Sequence, residues 1–496
     1  MINEQSCQKA RNGTKLVRTF IIGILLSYCA VVPLSASAAE VVGESRTYML
    51  YRETPGGDKL MPLYEYLNFS VRDAGMEAVS FHVGGWLRYD LQDDTNGRSS
   101  NNEFQYAFLN YQHKENNAAV SLGRIMVFEG VAAERLDGIY ARTDLKYGLG
   151  VSAFGGSSVE TSDPADSDSS TIHGARISHQ MDNRYAIGIS FLKAEKSSRN
   201  FRDEQGLDLW VRPMNKVELS GRSSYNDNTA GWMQHTYNLL LGPFEKVRLN
   251  TEVSHINYED FFAGSTNSAF TFLPGGPIAP KEVLDAVGET VSFAATDRVN
   301  VSVDYRQNSY DIAGKAKYYG AKVNYAVPGS MAAGISVHQM KGDTARLSYA
   351  EYRMYAMKKY GHTDLTVDLL DVAYDAAING KKNAYSATVA AGYELTESMM
   401  LGADLGYSKN PDFDKDVRLF AKLIYRFKDG GKGQAQPEKR SEAEHREHQA
   451  EAPATVSPAA IASPTPVSTE VPAPVPSAAP AGAAAAEQGM PKEGAR

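Results

Sequence analysis

The sequence predicts an all-β fold: a transmembrane, antiparallel, up-and-down β-barrel of about 20 strands, within a range of roughly 18 to 22, followed by a disordered C-terminal tail. Three observations predict it. An export signal opens the chain, segments of strand length with one apolar and one polar face recur along most of it, and long and short connections alternate between these segments. Such segments are typical of strands that face lipid on one side and a wet lumen on the other.

Residues 1–39 have the features of a signal peptide that is removed on export. A basic stretch precedes an apolar run at 20–34, and small residues follow at 36–39. The apolar run contains a proline and is shorter than the roughly 20 residues that a membrane helix requires. Both cysteines, Cys7 and Cys29, lie in this leader. We therefore expect the mature chain to hold no disulfide and no cysteine-bound metal.

Residues 40–78 leave two alternatives open. The segments 46–52 and 63–71 have the length and composition of two extra barrel strands. Alternatively, this part is a short N-terminal segment that lies in the periplasm or folds against the lumenal side of the wall.

Residues 79–427 carry the strand pattern of the barrel. The segment 299–306, for example, alternates valine and tyrosine with Asn300, Ser302, Asp304 and Arg306. Successive strand side chains point to opposite faces, so one face of such a segment is apolar and the other polar. Because every backbone group inside lipid must be paired, only a closed barrel is compatible with such strands in a membrane.

The connections between these segments alternate in length. Long connections are expected at 92–102, 156–170, 194–204 and 260–287, and short ones near 146–147, 181–183, 242–243, 328–330 and 396–398. A bacterial barrel has tight turns on the periplasmic side and longer loops outside, and the sequence fits that order.

Residues 428–496 form a charged stretch followed by a Pro/Ala-rich run. This composition cannot bury enough apolar surface to fold alone, so we expect a disordered tail on the periplasmic side. An extended tail could reach peptidoglycan or a periplasmic partner. The alternative is an inert tail.

Many charged residues fall on the polar faces of the predicted strands. The pore-lining candidates are Arg88, Asp90, Arg248, Glu252, Asp304, Arg306, Asp364, Asp368, Asp404, Arg418, Lys422 and Arg426. Isolated charges in a dry interior would be too costly, so this mixture predicts a hydrated lumen or mutual pairing. For any one of these residues, the alternative role is a cross-strand pair that stiffens the wall. We expect mild selectivity, set wherever the charges crowd a constriction.

A second set of candidates lies between Leu122 and Arg142. This stretch combines small residues with Glu129, Glu134, Arg135 and Asp137, which suits a loop folded into the mouth of the barrel to narrow it. An ordinary outside loop is the alternative.

Motifs of catalysis and cofactor binding are absent from the sequence. It holds no His-Glu-x-x-His helix, no Gly-x-Ser-x-Gly elbow and no phosphate loop, so we predict that the protein is not an enzyme and has no metal site or cofactor. It lacks Cys-x-x-Cys-His, so the chain does not itself attach a c-type haem. The net charge of -8 gives no reason to expect nucleic acid as a partner.

Two segments resemble those of known outer-membrane proteins. The run 417–427 alternates apolar residues and ends in an aromatic, and it resembles the closing strand that the barrel assembly machinery of Gram-negative bacteria recognises. Leu122-Gly123-Arg124 through Leu136-Asp137-Gly138 and Arg142 looks like the Gly-Arg and Asp-Gly elements of general porins. The resemblance implies contact with outer-membrane lipid and a porin-like channel for passive passage of ions or small hydrophilic solutes.

The chain is also similar to the porin component of porin-cytochrome conduits in size, strand number and lack of cysteine in the barrel. That resemblance implies an alternative function, in which the barrel is a scaffold that sheathes multihaem cytochromes for electron transfer across the outer membrane. An energised transporter is disfavoured, because a plug domain needs far more residues before the first strand than follow the leader.

Overall fold

The protein is a single antiparallel sheet that closes on itself as a barrel. The computed structural model describes residues 39–53, 59–72, 78–92, 99–113, 117–159, 170–196, 199–262 and 281–429. Consecutive strands pair with each other, and the first pairs with the last, with Val41 opposite Asp429 and Arg52 opposite Arg418. Most of the predicted leader, and the tail from residue 430 onward, lie outside the described residues.

The barrel has 22 strands, so the prediction of an all-β up-and-down barrel is confirmed, with a strand number at the top of the expected range. The strands are β1 Glu40–Glu53, β2 Pro62–Arg72, β3 Val79–Asp90, β4 Ser100–His113, β5 Ala118–Glu129, β6 Ala132–Asp144, β7 Leu149–Ser158, β8 Ser170–Met181, β9 Tyr185–Lys196, β10 Arg199–Met214, β11 Val217–Asn226, β12 Gly231–Phe244, β13 Val247–Asn257, β14 Val283–Ala294, β15 Val299–Tyr310, β16 Gly314–Val327, β17 Met331–Gly342, β18 Tyr349–Tyr360, β19 Thr363–Ile378, β20 Lys381–Thr396, β21 Met399–Asn410 and β22 Phe413–Asp429.

The described part of residues 40–78 forms barrel strands. β1 pairs with β2 from Glu40 opposite Arg72 to Met49 opposite Leu63, and β2 pairs in turn with β3. A two-residue segment, Lys59–Leu60, pairs with Arg52 and Glu53 and so continues this pairing to the C-terminal end of β1. Of the two alternatives left open by the sequence, the structure therefore has the extra strands.

The two ends of the barrel differ in their connections. The end that carries the start of β1 and the end of β22 has tight turns such as 215–216, 361–362 and 397–398. The other end carries the longer connections 91–99, 159–169 and 258–282. By this asymmetry the first is the periplasmic end and the second the extracellular end.

The predicted connections agree with the structure except in two places. The predicted long loop 194–204 is wrong, because β9 continues to Lys196 and β10 begins at Arg199. The short turn expected at 242–243 lies at 245–246. Short helical segments occupy parts of other connections: α1, Tyr258–Phe262, and two 3-10 turns, Lys146–Gly148 and Ala345–Leu347.

The outer face of the wall is apolar and open to its surroundings. Val389 on β20, Leu405 on β21 and Val303 on β15 are all more than half exposed, and their chain neighbours point the other way. An exposed apolar band around a closed antiparallel wall is the surface that lipid covers. No helix of the described residues is long and apolar enough to cross a membrane.

Ion pairs tie the seam between β1 and β22 along its inward face. Arg52 Nε lies 3.0 Å from Asp416 Oδ1 near the extracellular end, and Arg426 Nε lies 2.8 Å from Glu44 Oε2 lower down. Lys428 Nζ lies 2.9 Å from Glu40 Oε1 at the periplasmic end. The pair of strands that closes the cylinder thus has charge contacts at three heights in addition to its backbone ladder.

Candidate functional site in the barrel lumen

The structure places every pore-lining candidate on the inward face, opposite the exposed apolar residues of its own strand. Asp304 shows the arrangement: its carboxylate accepts a 2.8 Å hydrogen bond from Thr290 Oγ1 of β14 and lies 3.2 Å from His338 Nε2 of β17. These contacts place the three side chains on the same face of the sheet, the inward one. The exposed Val303 lies on the opposite, outward face.

Most of these charges are paired along the wall. Arg306 lies 3.8 Å from Glu252, and Asp368 forms a bidentate pair with Arg353 on the neighbouring strand, at 3.1 and 2.5 Å. The remaining pairs are Arg88 with Asp90 at 3.6 Å, Arg418 with Asp416 at 3.6 Å and Arg426 with Glu44 at 2.8 Å. The pairs of Arg306, Asp368 and Arg426 fit the cross-strand role that the sequence left open for single residues, whereas Arg88 and Arg418 pair within their own strands.

Four of the candidates make no ion pair within the described ranges: Arg248, Asp364, Asp404 and Lys422. Asp364 and Asp404 lie on strands that flank β20, and the inward-facing Gly392 between them carries no side chain. Unpaired charges on a wall are tolerated only where water reaches them. Asp404 is only partly accessible, and the charge of Lys422 lies close enough to act on it, so the lumenal face of the wall is polar and charged at these positions.

The stretch predicted to narrow the mouth is a β-hairpin rather than a loop. Glu129 ends β5, Glu134, Arg135 and Asp137 lie on β6, and the turn between the strands is only residues 130–131. The expected loop structure is therefore wrong. The apolar face of the hairpin is nonetheless buried inside the barrel.

The tip of this hairpin, residues 125–136, packs on the inner faces of more distant strands. Its side chains Ile125, Val127 and Leu136 form one buried cluster with inward-facing residues of β7, β8 and β9, namely Phe154, Ile172, Leu192 and Ala194. At the turn, the backbone N–H of Val131 donates a 3.0 Å hydrogen bond to Ser190 Oγ of β9. The hairpin thus separates from β4, and its tip lies over the inner surface of the wall, while β6 stays paired with β7 as far as Leu136 opposite Ser158.

Glu129 anchors one side of the hairpin tip. Its carboxylate accepts a 2.6 Å hydrogen bond from the hydroxyl of Tyr140 and lies 3.7 Å from Arg176 of β8. Arg176 also forms a bidentate pair with Asp208 of β10, at 3.0 and 2.6 Å. Glu129 is almost fully buried. Arg176 compensates the charge of this buried carboxylate and so holds the hairpin to β8, because loss of Arg176 would leave that charge without its counter-charge.

Glu134 anchors the other strand of the hairpin. Arg202 Nη1 of β10 lies 2.5 Å from Glu134 Oε1, and the same guanidinium donates to Glu204 at 2.7 and 3.1 Å. One arginine therefore joins the hairpin to the inner face of β10.

The opposite face of the hairpin contacts β4. Arg135 forms an ion pair with Glu103, whose other carboxylate oxygen accepts a 3.1 Å hydrogen bond from the indole N–H of Trp86. Next to the gap between β4 and β5, Arg124 forms a bidentate pair with Asp137, at 2.7 and 2.8 Å, and donates to the carbonyl of residue 104. All the constriction candidates are thus held by identified partners.

Gly123 is the point at which β5 leaves β4. The pairing of these strands stops at Ala107 opposite Arg124, and Gly123 has a φ of 130°. A side chain there would meet the carbonyl oxygen of Ala107. Glycine is the residue that adopts this backbone region without steric cost, so the departure of the hairpin depends on it.

The partners of the hairpin on the far strands, chiefly Arg176, Ser190, Arg202 and Asp208, were not among the predicted site residues. Strand alternation alone places Arg176, Ser190 and Asp208 on inward faces, whereas Arg202 falls within the loop that the sequence predicted at 194–204. What the sequence does not indicate is that a distant hairpin contacts them.

Two further connections at the extracellular end fold over the inner rim. Tyr258 of α1 packs with Ile256 and Leu284, and Leu347 of the 3-10 turn packs with Ala316 and Met340. These described segments therefore pack on the lumenal side of the wall at this end of the barrel.

Arg346 of the same 3-10 turn joins two extracellular connections. It forms a bidentate pair with Asp412 in the turn between β21 and β22, at 3.2 and 2.8 Å. The hydrogen bonds from Arg346 lower the pKa of Asp412, and the same bonds raise the pKa of Arg346. Asn379 Nδ2 also contacts Asp412, at 3.2 Å, so this carboxylate links three connections.

Across the parts of the chain that the structure describes, no group of three or more His, Cys, Asp or Glu side chains is arranged to hold a metal ion. The polar chemistry of the lumen is that of ion pairs and hydrogen bonds.

These features define a transmembrane β-barrel protein of the Gram-negative outer membrane: a closed antiparallel wall, apolar outside and charged inside, with both terminal strands at the end that has the tight turns. The class is that of large antiparallel outer-membrane barrels. Neither a family model nor a curated protein matches the chain.

Solved structures match the chain in fold. It is similar to a variant of the ferric enterobactin receptor PfeA from Pseudomonas aeruginosa, with 10% sequence identity and a TM-score of 0.50, over 79% of this chain and 81% of that chain. It is also similar to the translocation pore of the P pilus usher PapC, with 8% identity and a TM-score of 0.46 over 78% and 99% of the two chains. For OccAB2 from Acinetobacter baumannii, the identity is 11% and the TM-score 0.41, over 79% and 98%.

Proposed function

We propose that this protein is an outer-membrane channel through which ions or small hydrophilic solutes pass passively along a hydrated lumen. The observation that carries the proposal is the inner surface of the barrel, where charged residues of both signs line the wall and several have no ionic partner. A permeating ion exchanges part of its hydration shell for such groups, and mixed charges of this kind favour mild selectivity.

The size of the barrel supports a wide passage. Barrels of about eight strands fill with their own side chains, whereas those of about 16 to 18 leave an aqueous channel. A barrel of 22 strands exceeds that size. Partly exposed inward side chains such as Arg418 and Arg426 are consistent with water at the wall.

The inward hairpin supplies the constriction in this proposal. It covers the inner faces of β7 to β10 and is held at both strands by ion pairs, so it narrows the lumen on one side as a fixed element. Glu129, Glu134, Arg135 and Asp137 would then bias ion passage through the charges that remain accessible around them.

Reconstitution of the purified protein in planar lipid bilayers tests this function. We expect stepwise increases in ion current at low applied voltage, with a modest preference between cations and anions. Insertion without current, verified by recovery of the protein from the same membrane, would contradict the channel proposal.

The strand number also favours a second candidate, the scaffold that sheathes a multihaem cytochrome. Outer-membrane barrels of 22 strands typically have a plugged lumen, and within the described residues only the hairpin and the rim loops enter it. A guest protein would fill the remaining space. Gentle detergent extraction from the native host tests this candidate: a haem-staining protein should co-purify with the barrel, and its absence would count against the scaffold.

A further inference from the structure

Five aromatic side chains form a continuous series on the inner face of β22, β1, β2 and β3, which we call the aromatic rail. Its members in order are Phe420, Tyr48, Tyr66, Tyr64 and Trp86, and the ring centroids of successive members lie 5.2, 5.5, 6.1 and 6.2 Å apart. All five are partly accessible rather than buried. Aromatic side chains are costly to leave in water, so a series of them on a hydrated wall needs an explanation.

Charged pairs flank the rail. The ion pair of Glu44 and Arg46 lies beside Tyr48 on β1, and Arg88 and Asp90 lie close to Tyr64. The rings therefore offer apolar surface, and the partly accessible Glu44 and Arg46 offer hydrogen-bond acceptors and donors, whereas Arg88 and Asp90 are buried. Small-molecule sites have this composition: apolar walls with a few polar groups that fix orientation.

The far end of the rail meets the inward hairpin. Trp86 donates its indole N–H to Glu103, and Glu103 pairs with Arg135 of the hairpin. On the same face of the hairpin as Arg135, Met126 and Phe128 are 52% and 70% exposed. This end of the rail thus lies beside the hairpin, so a solute at the proposed constriction is within reach of the rings.

We propose that the aromatic rail is a binding track for saccharides. A pyranose ring has a face of C–H groups that covers an aromatic ring and a rim of hydroxyl groups that exchange hydrogen bonds with charged side chains. The rail and its flanking pairs match both surfaces. The inference rests on the proposed channel function and deepens it by naming a class of solute.

The surroundings of the rail favour saccharides over other solutes. A simple ion gains little from uncharged ring surface. A wholly apolar aromatic solute would cover the accessible pair of Glu44 and Arg46 without replacing their hydrogen bonds to water, and an unsatisfied charged group is costly. A neutral, hydroxyl-rich ring avoids both losses.

Two measurements on the full-length protein test this inference, with linear gluco-oligosaccharides of increasing length as the probe. In planar bilayers, we expect reversible block of the ion current, stronger for longer oligosaccharides than for glucose. In detergent solution, the fluorescence of Trp86 should change on binding; replacing the other two tryptophans, Trp210→Phe and Trp232→Phe, makes it the sole reporter.

Three variants assign the effect to the rail. Tyr66→Ala should weaken the sugar block by about five- to tenfold, the loss expected for one stacking contact. Tyr66→Phe keeps the ring and should retain the block within about twofold. Tyr355→Ala, which removes an inward tyrosine of β18 outside the rail, should leave the block unchanged. Equal single-channel currents without sugar show that each variant is folded.

The outcomes separate the two proposals. Ion current without sugar block or fluorescence change overturns the saccharide track and leaves the channel. A sugar-dependent fluorescence change without any current supports the track and contradicts the channel. Block by free tryptophan but not by oligosaccharides would overturn the saccharide assignment in favour of aromatic solutes.

Discussion

Arg202 of β10 and Glu134 of β6 form an ion pair, with 2.5 Å between Nη1 and Oε1, although the two strands are not neighbours in the barrel. The contact exists because the hairpin formed by β5 and β6 bends over the strands that separate them. This ion pair therefore holds the hairpin inside the lumen, whereas an ordinary cross-strand pair would link adjacent strands.

Arg202→Met should loosen this attachment and raise the channel current. The change leaves Glu134 and the buried Glu204 without their common partner, and breaking a buried pair costs on the order of 3 kcal/mol. The hairpin keeps its apolar cluster, so we expect larger mean conductance with frequent fluctuations rather than a fully open state. Single-channel recording measures both.

Lys359→Met is the matched control for Arg202→Met. It removes an exposed pair with Glu394, 3.0 Å long, at the periplasmic end of the wall. An exposed pair contributes little, and this one does not touch the hairpin. Identical current traces for the wild type and Arg202→Met would show that the hairpin is not the constriction.

Gly123→Ala should destabilise the barrel by about 1–3 kcal/mol, because the new side chain combines an unfavourable positive φ with a clash against the carbonyl of Ala107. Urea unfolding in lipid vesicles measures the change. Gly155→Ala on β7 is the control: its φ is ordinary and the added carbon would make only van der Waals contacts of 3.7 Å, so stability should change by less than about 0.5 kcal/mol. Equal losses in the two variants would refute this role of Gly123.

Acidification should release the extracellular connections that Asp412 joins. Because the pKa of Asp412 is lowered in the folded protein, the contact stabilises the loops above about pH 4, the usual range of a free carboxyl group. This stabilisation is lost as the pH falls further and Asp412 takes up a proton. A dye attached at Thr344→Cys should show lower anisotropy at low pH.

The variant Asp412→Asn tests the cause of that transition. Its dye anisotropy should be low at every pH, because the amide cannot form the charged pair with Arg346. A label at Ser330→Cys, in a periplasmic turn, should show no corresponding step. A step that persists in Asp412→Asn would assign the transition to another group.

The same substitution at neighbouring residues of β20 should cost very different amounts of stability. Val389→Arg places a charge on the outer face near mid-strand and should cost about 2–4 kcal/mol in a bilayer. Thr388→Arg places it on the inward, hydrated face and should cost less than about 1 kcal/mol. Unfolding free energies in vesicles test the pair. Similar costs at both positions would contradict the inside-outside assignment of the wall.

The faces of the strands could be read from the sequence because a period of two residues determines them. Once Val303 is assigned to the lipid side, Asp304 must point inward, whatever the rest of the fold does. The same argument gave the closed barrel, since lipid tolerates no open edge. Both conclusions needed only local information.

The first two strands were harder to recognise because their outer faces are partly polar. Ser45 and Thr47 of β1 and Glu65 of β2 point outward, and the two hydroxyls donate to the carboxylate at 2.5 and 2.6 Å. These groups satisfy one another across the strand pair, so they are tolerated on the outer face. In the sequence, they only weaken the alternation.

The position of the hairpin could be predicted from the sequence, but its strand structure and its contacts could not. Small residues and acids between Leu122 and Arg142 indicated an element at the mouth, whereas its strand structure depends on pairing between β5 and β6 through Glu129 opposite Ala132. Its contacts with Ser190 and Arg202 join residues that are far apart in the chain. The alternation of apolar and polar residues along a strand does not indicate such contacts.

The pairing of β1 with β22 makes the barrel indivisible. The first and last strands of the wall are neighbours, from Val41 opposite Asp429 to Arg52 opposite Arg418, so the ring is complete only when these two strands have paired. Loss of either strand would not give a narrower barrel. The remaining strand would expose a row of unpaired backbone N–H and C=O groups to the hydrocarbon, at a cost of several kcal/mol each. Synthesis, delivery and insertion must therefore handle the whole wall as one piece.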